Sequence, residues 1–175
     1  LATGPVDKQV QLATFGLAGD RRDVFGGGGI TLFDLSLATG SLSMDDVSLL
    51  TDKLSAQTNG SFTRLDYRIN RLQRLSDSYS LLLALSGQFA NKNLNSSEQF
   101  FLGGAYGVRA YPQGEAYGDE GRLVTVEMRH DFTQWLQGVM FFDAGSVIIN
   151  HDPYLPGSIT RFLSGGGVGV NAKIA

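Results

Sequence analysis

An all-β, antiparallel transmembrane β-barrel is the fold this sequence predicts, and three observations carry it. Apolar and polar residues alternate with a period of two along several segments, the connections between those segments alternate short and long, and glycine is abundant while cysteine is absent. The alternation is plainest from Val124 to Phe132, where apolar side chains at even positions interleave with Glu127, Arg129 and Asp131 at odd ones. On its own this pattern fits a soluble sandwich as well as a barrel, since both have one apolar and one polar face.

Composition supports a β-rich chain, with 23 glycines, four prolines and 10% aromatic residues among 175. No window approaches the roughly 20 consecutive apolar residues of a membrane helix; the richest run is Leu81 to Leu85. A barrel strand needs only about 9 to 11 alternating residues per crossing. A net charge of −3 argues against a nucleic-acid partner.

Seven strands are expected, at residues 8–20, 27–39, 62–74, 78–90, 121–132, 137–149 and 161–174. In the first, the apolar phase slips between Leu12 and Phe15, as a bulge or an edge produces. The third sets Leu65, Tyr67 and Ile69 against Arg64, Asp66, Arg68 and Asn70, so one of its faces must be wet. The fourth places Tyr79, Leu81, Leu83, Leu85 and Phe89 together. The connections are short at 21–26, 75–77 and 133–136 and long at 40–61, 91–120 and 150–160, the asymmetry of an outer-membrane barrel. Phe132, Trp135 and Tyr79 gather at short turns, and Tyr154 and Phe162 at a long-loop end, as aromatic belts do. Single-chain bacterial barrels have an even number of strands, so seven implies a piece of a larger one.

Within and after the longest loop lie Ser97-Glu98-Gln99-Phe100-Phe101-Leu102-Gly103-Gly104, Val108-Arg109-Ala110-Tyr111 and Gly118-Asp119-Glu120-Gly121, followed by Glu127 and Arg129. These residues resemble the haemolysin-activator family, the B components of two-partner secretion, in a superfamily that also contains barrel-assembly insertases. The resemblance is densest over about residues 85–145. It implies that the chain is a C-terminal-half fragment of one barrel domain, about seven strands of sixteen, with periplasmic domains lying outside it. It also implies that the 91–120 loop folds into the pore, and that its Arg109 meets Asp143 of the Phe141-x-Asp143-x-Gly145 motif. Ala110 stands where the family has Gly, which questions the backbone angle there. The implied function is export of a large secreted exoprotein from the bacterial outer membrane, with lipid around the barrel. An insertase and a passive porin are the alternatives.

The residues read alone agree in part. Asp143 falls on the odd face of its strand, opposite Met140, Phe142, Ala144 and Ile148, and so points into a lumen if the even face meets lipid. An arginine on a loop of about 30 residues has ample reach to it. In a hydrated lumen such a pair is expected to contribute about 1 kcal/mol or less. Candidate lumenal charges are Arg64, Asp66, Arg68, Glu127 and Arg129. Gly26 to Gly29 lacks the Lys-Ser/Thr of a phosphate loop and reads as a turn, and Gly165 to Gly169 reads as room for a passing loop. His130 and His151 lack metal-ligand spacing, and no cofactor or catalytic constellation is visible. Asp45, Asp46 and Asp52 are expected on a solvated loop.

Overall fold

The computed structural model describes residues 7–172. Seven strands form one antiparallel meander: β1 (Lys8–Asp23), β2 (Gly29–Met44), β3 (Gly60–Arg74), β4 (Tyr79–Ala90), β7 (Glu120–Asp131), β8 (Leu136–Ile148) and β9 (Thr160–Ala172). Helix α1 (Asp46–Lys53) lies between β2 and β3, and two-residue strands β5 (Phe100–Phe101) and β6 (Tyr117–Gly118) lie in the longest connection. All seven expected strands are present, except that the end expected for the last at residues 173 and 174 lies outside the described residues. The observed connections are short at 24–28, 75–78 and 132–135 and long at 45–59, 91–119 and 149–159.

Cross-strand register sorts the side chains into two faces. On one, Phe33 sits opposite Ile69, Leu83 opposite Val126, Val126 opposite Phe142, and Met140 opposite Val168. These side chains are exposed, Met140 to 61% and Val168 to 82%. The other face carries Asp34 opposite Arg68, Asp66 opposite Gln88, and Thr125 opposite Asp143. A water-soluble sheet buries its apolar face; this one exposes it, which is the burial pattern of a strand wall made for lipid.

The phase slip in β1 is not a bulge. Its pairing with β2 runs without interruption from Lys8 opposite Met44 to Asp23 opposite Gly29. Phe15 and Leu17 lie on the exposed apolar face opposite Leu37 and Leu35, whereas Val10 and Leu12 lie on the polar-face side opposite Leu42 and Gly40. Leu42 and Phe62 are buried there near the long-loop end, so apolarity changes face along the strand while register holds.

The loop at 45–59 also departs from expectation. Asp45 caps α1, its carboxylate accepting from the amides of Val47 and Ser48. Asp52 is buried rather than solvated, accepting from the amides of Thr58 and Asn59 and from the Thr58 hydroxyl.

The exposed apolar face generates a direct test. Met140→Arg, at the middle of β8, should destabilise the membrane-inserted barrel of the full-length protein by about 2–4 kcal/mol. Arg68→Gln on the opposite face should change it by less than about 0.5 kcal/mol. Denaturant titration followed by heat-modifiable gel migration would measure both.

Candidate functional site

The 91–119 connection lies against the polar face of β7, β8 and β9 and closes a small apolar core there. Leu102, Val108 and Ala116 from the loop pack with Leu123, Val147 and Leu163 from the sheet, with Phe100 and Tyr111 beside them. The loop holds its own shape through backbone bonds: β5 pairs with β6, the Leu102 amide donates to the Ala116 carbonyl, and the Val108 amide donates to the Leu102 carbonyl. Gly107 presses so closely on the Leu102 carbonyl that any Cβ would collide with it.

At the tip, the Arg109 guanidinium donates from Nε to Asp143 Oδ2 at 2.9 Å and from Nη2 to Asp143 Oδ1 at 3.0 Å. Its Nη1 donates to Glu127 Oε2 at 2.7 Å, and its backbone amide donates to Asp143 Oδ2 at 3.1 Å. The guanidinium carbon sits 3.5 Å from the centre of the Phe141 ring. Thr125 Oγ1 donates to Asp143 Oδ1, and Arg129 Nε donates to Glu127 Oε1. The Asp143 side chain has no exposed surface and that of Glu127 has 8%, against 28% for Arg109. The expectation of a weak, solvent-exposed pair is therefore corrected. Loop and sheet exclude water from the carboxylates, and in that setting loss of one partner typically costs about 3–5 kcal/mol, several times the figure for an exposed pair.

Ala110 needs no unusual backbone, because Gln57 is the one non-glycine residue with positive φ among the described residues. Its methyl group instead fills the space over Gly165, where an added Cβ would clash with it. Gly145 leaves room for Leu102, Gly121 for the Phe100 ring and Gly118 for the Ile148 carbonyl, so these motif glycines mark close approaches of loop to sheet.

Asp119 is fully buried at the root of the loop. It accepts from the Leu94 amide, Gln99 Nε2 and the His151 amide, joining the 91–119 and 149–159 connections. Burial pushes its carboxyl above the usual range, and those donors only partly offset the shift. Asn93, also buried, donates from Nδ2 to the carbonyls of Ala56 and Asp152 and accepts from the Asp152 amide, so all three long connections are tied together. Nothing in its spacing singles it out in the sequence. His151, which lacks metal-ligand spacing in the sequence, has Nδ1 2.6 Å from Glu120 Oε1, 31 residues away.

Of the remaining sequence candidates, Arg64 lies apart from the Arg109 cluster. Its Nη1 donates to the backbone oxygen and carboxylate of Glu98, and its Nε lies 3.0 Å from Asp66 Oδ2. Arg68 is exposed and has no ion-pair partner among the described residues. Thr125 and Asn93 lie outside the set of residues that the sequence points to, and Gln99 stands in a quoted motif without an assigned role. Thr125 is the one with a readable signal, since it shares the odd face of β7 with Glu127 and Arg129.

Known proteins share this architecture. Residues 9–172 match the family described as haemolysin secretion/activation protein ShlB/FhaC/HecB. The heme/hemopexin transporter protein HuxB from two strains of Haemophilus influenzae is 35% identical over 122 residues, covering 67% of this chain. The chain spans about a fifth of those relatives, 22% of their length. Among solved structures, CdiB from Escherichia coli superposes with a TM-score of 0.66 at 19% identity, covering 92% of this chain and 30% of that one. The sheet is thus a segment of an outer-membrane β-barrel.

Two outcomes test the site. Gly165→Ala in the full-length protein should lift the loop tip, raising amide exchange at Val108–Tyr111 at least tenfold, and adding Ala110→Gly should restore protection. Asp52 titrates in the opposite sense to Asp119. Burial raises its pKa, but bonds from the Asn59 and Thr58 amides and the Thr58 hydroxyl outweigh it, so the folded value is depressed. The stabilisation is present above the unfolded Asp pKa and is lost as pH falls through the folded one. Protection of the Thr58 and Asn59 amides, corrected for intrinsic exchange, should therefore fall on acidification below about pH 4.

By its match across residues 9–172, this chain belongs to the haemolysin secretion/activation family, whose members are outer-membrane transporters of two-partner secretion.

Proposed function

We propose that the full-length protein is an outer-membrane pore that exports a large partner exoprotein, with the 91–119 loop as a movable occupant of the pore. The observation that carries this reading is the capture of Arg109 by two carboxylates of the sheet, Asp143 and Glu127. A loop tip held by side-chain ion pairs and a glycine seat can leave without breaking any strand pairing. Arg64, Asp66, Arg68, Asp34 and Asn70 share the same face and supply a polar wall along which an unfolded chain can slide. The apolar face contacts lipid. Transport needs no nucleotide hydrolysis in this chain, folding of the exported protein outside being sufficient to give direction. The net charge of −3 offers no general grip on nucleic acid.

A charge-swap series in the full-length protein tests the reading: Arg109→Asp, Asp143→Arg and the two combined. Each single change should cut the partner protein in the culture medium at least tenfold while barrel insertion persists, and the double change should recover part of the loss. Unchanged export in both single variants would overturn the latch, and a general fall of other barrel proteins in the membrane would point to an insertase instead.

A further inference from the structure

We propose that the cluster holding Arg109 is an exchange site for arginine side chains of the polypeptide that passes through the pore, with Arg109 as its resident occupant. This rests on the secretion reading above.

The binding elements all come from the sheet. Thr125 and Glu127 of β7 are direct cross-strand partners of Asp143 and Phe141 of β8, so a two-by-two array is fixed by the ladder itself. Only the guanidinium comes from the loop. The array matches a planar fork. Both oxygens of Asp143 take parallel donors from Nε and Nη2, Glu127 takes the third direction through Nη1, and the Phe141 ring supports the flat face. A lysine ammonium has neither the fork nor the face, and is more strongly hydrated.

Charge balance makes a vacant site hard to tolerate. With Arg109 in place, two arginines, Arg109 and Arg129, face two carboxylates. When Arg109 leaves, Arg129 still holds Glu127 through Nε, and Asp143 is left with the Thr125 hydroxyl and one uncompensated negative charge. A passing arginine restores the side-chain contacts of the site, but not the Arg109 backbone bond or the packing of Val108 and Ala110. Because Arg109 is tethered, it returns at an effective concentration in the millimolar range, and an arginine on a chain confined to the same lumen competes on similar terms. The packing of Val108 and Ala110 favours Arg109 at rest, and arginines on a chain filling the lumen compete by local concentration, so the site can hold the loop at rest and be held open by cargo.

The test uses the full-length protein in detergent micelles and a labelled, unstructured Gly/Ser peptide of about a dozen residues with one central arginine, beside a lysine-matched peptide. Fluorescence anisotropy reads binding to Arg109→Ala, in which the site is vacant. The arginine peptide should bind Arg109→Ala at least tenfold more tightly than the lysine peptide does, and more tightly than it binds the wild type. Asp143→Asn or Phe141→Leu added to Arg109→Ala should each weaken it about tenfold, the second keeping every charge if the first fails to insert. Equal binding of the two peptides, or binding unmoved by both added changes, overturns the proposal. Export of the partner by wild-type cells is scored separately: intact export without arginine selectivity sinks the exchange site alone, and arginine selectivity without export sinks the secretion reading.

Discussion

Two carboxylates largely withdrawn from water, Asp143 and Glu127, are the constraint around which the rest of this structure is arranged. An ionised carboxylate without a partner is costly to bury, and each finds its partners from more than one direction. The sheet contributes Thr125 and Arg129, and the loop contributes Arg109. Removing the loop would open the small apolar core and strip Asp143 of its cation together. Loop packing and charge neutralisation are therefore one event, with Val108 and Arg109, adjacent in sequence, serving one each.

The two faces of the sheet divide the remaining work. The exposed face carries Phe15, Met140, Phe142 and Val168, and gains its stability from what surrounds it, whereas the polar face must be satisfied side chain by side chain. That is why the described residues contain so small an apolar core, and why the core sits under the loop. At the long-loop end, buried Asp119 and Asn93 join three connections by hydrogen bonds to backbone groups, which fixes the root of the 91–119 loop. The tip lies at the far end of a finger with its own internal bonding, so root and tip answer to different contacts.

Much of this architecture is legible in the amino-acid sequence. Strand existence follows from period-two alternation, and connection lengths distinguish the two ends, because both are properties of neighbouring residues. The placement of Asp143 on the face opposite Met140 and Phe142 follows from parity alone. What the sequence conceals depends on long-range proximity or on local capping. The phase slip at Leu12 resembles a bulge because sequence cannot show that Leu42 and Phe62 create an apolar patch on the polar face. Asp45 before Val47, Leu49 and Leu50 is a readable helix cap, masked by its setting in a loop rich in polar residues. The burial of Asp143 is invisible, since its shielding comes from a segment more than 30 residues away. Ala110 raises a question of backbone angle that Gly165 answers with space.

The energetics of a buried ion cluster suit a part that, on the proposed secretion reading, must stay put and also leave. A fully paired buried cluster contributes little net stability, because the desolvation of its members nearly cancels their attraction. A half-broken one is strongly unfavourable, because an uncompensated charge remains. Partial withdrawal of Arg109 is therefore penalised far more than either complete seating or complete replacement by another cation. Such a landscape has two low states and a high region between them, which is the requirement for a switch rather than a flexible tether. The close fit of Ala110 over Gly165 adds to this, since van der Waals contact falls away within an ångström of displacement. Shape and charge thus both favour all-or-none movement of the loop tip, while the bonds at Asp119 keep its root in register for return.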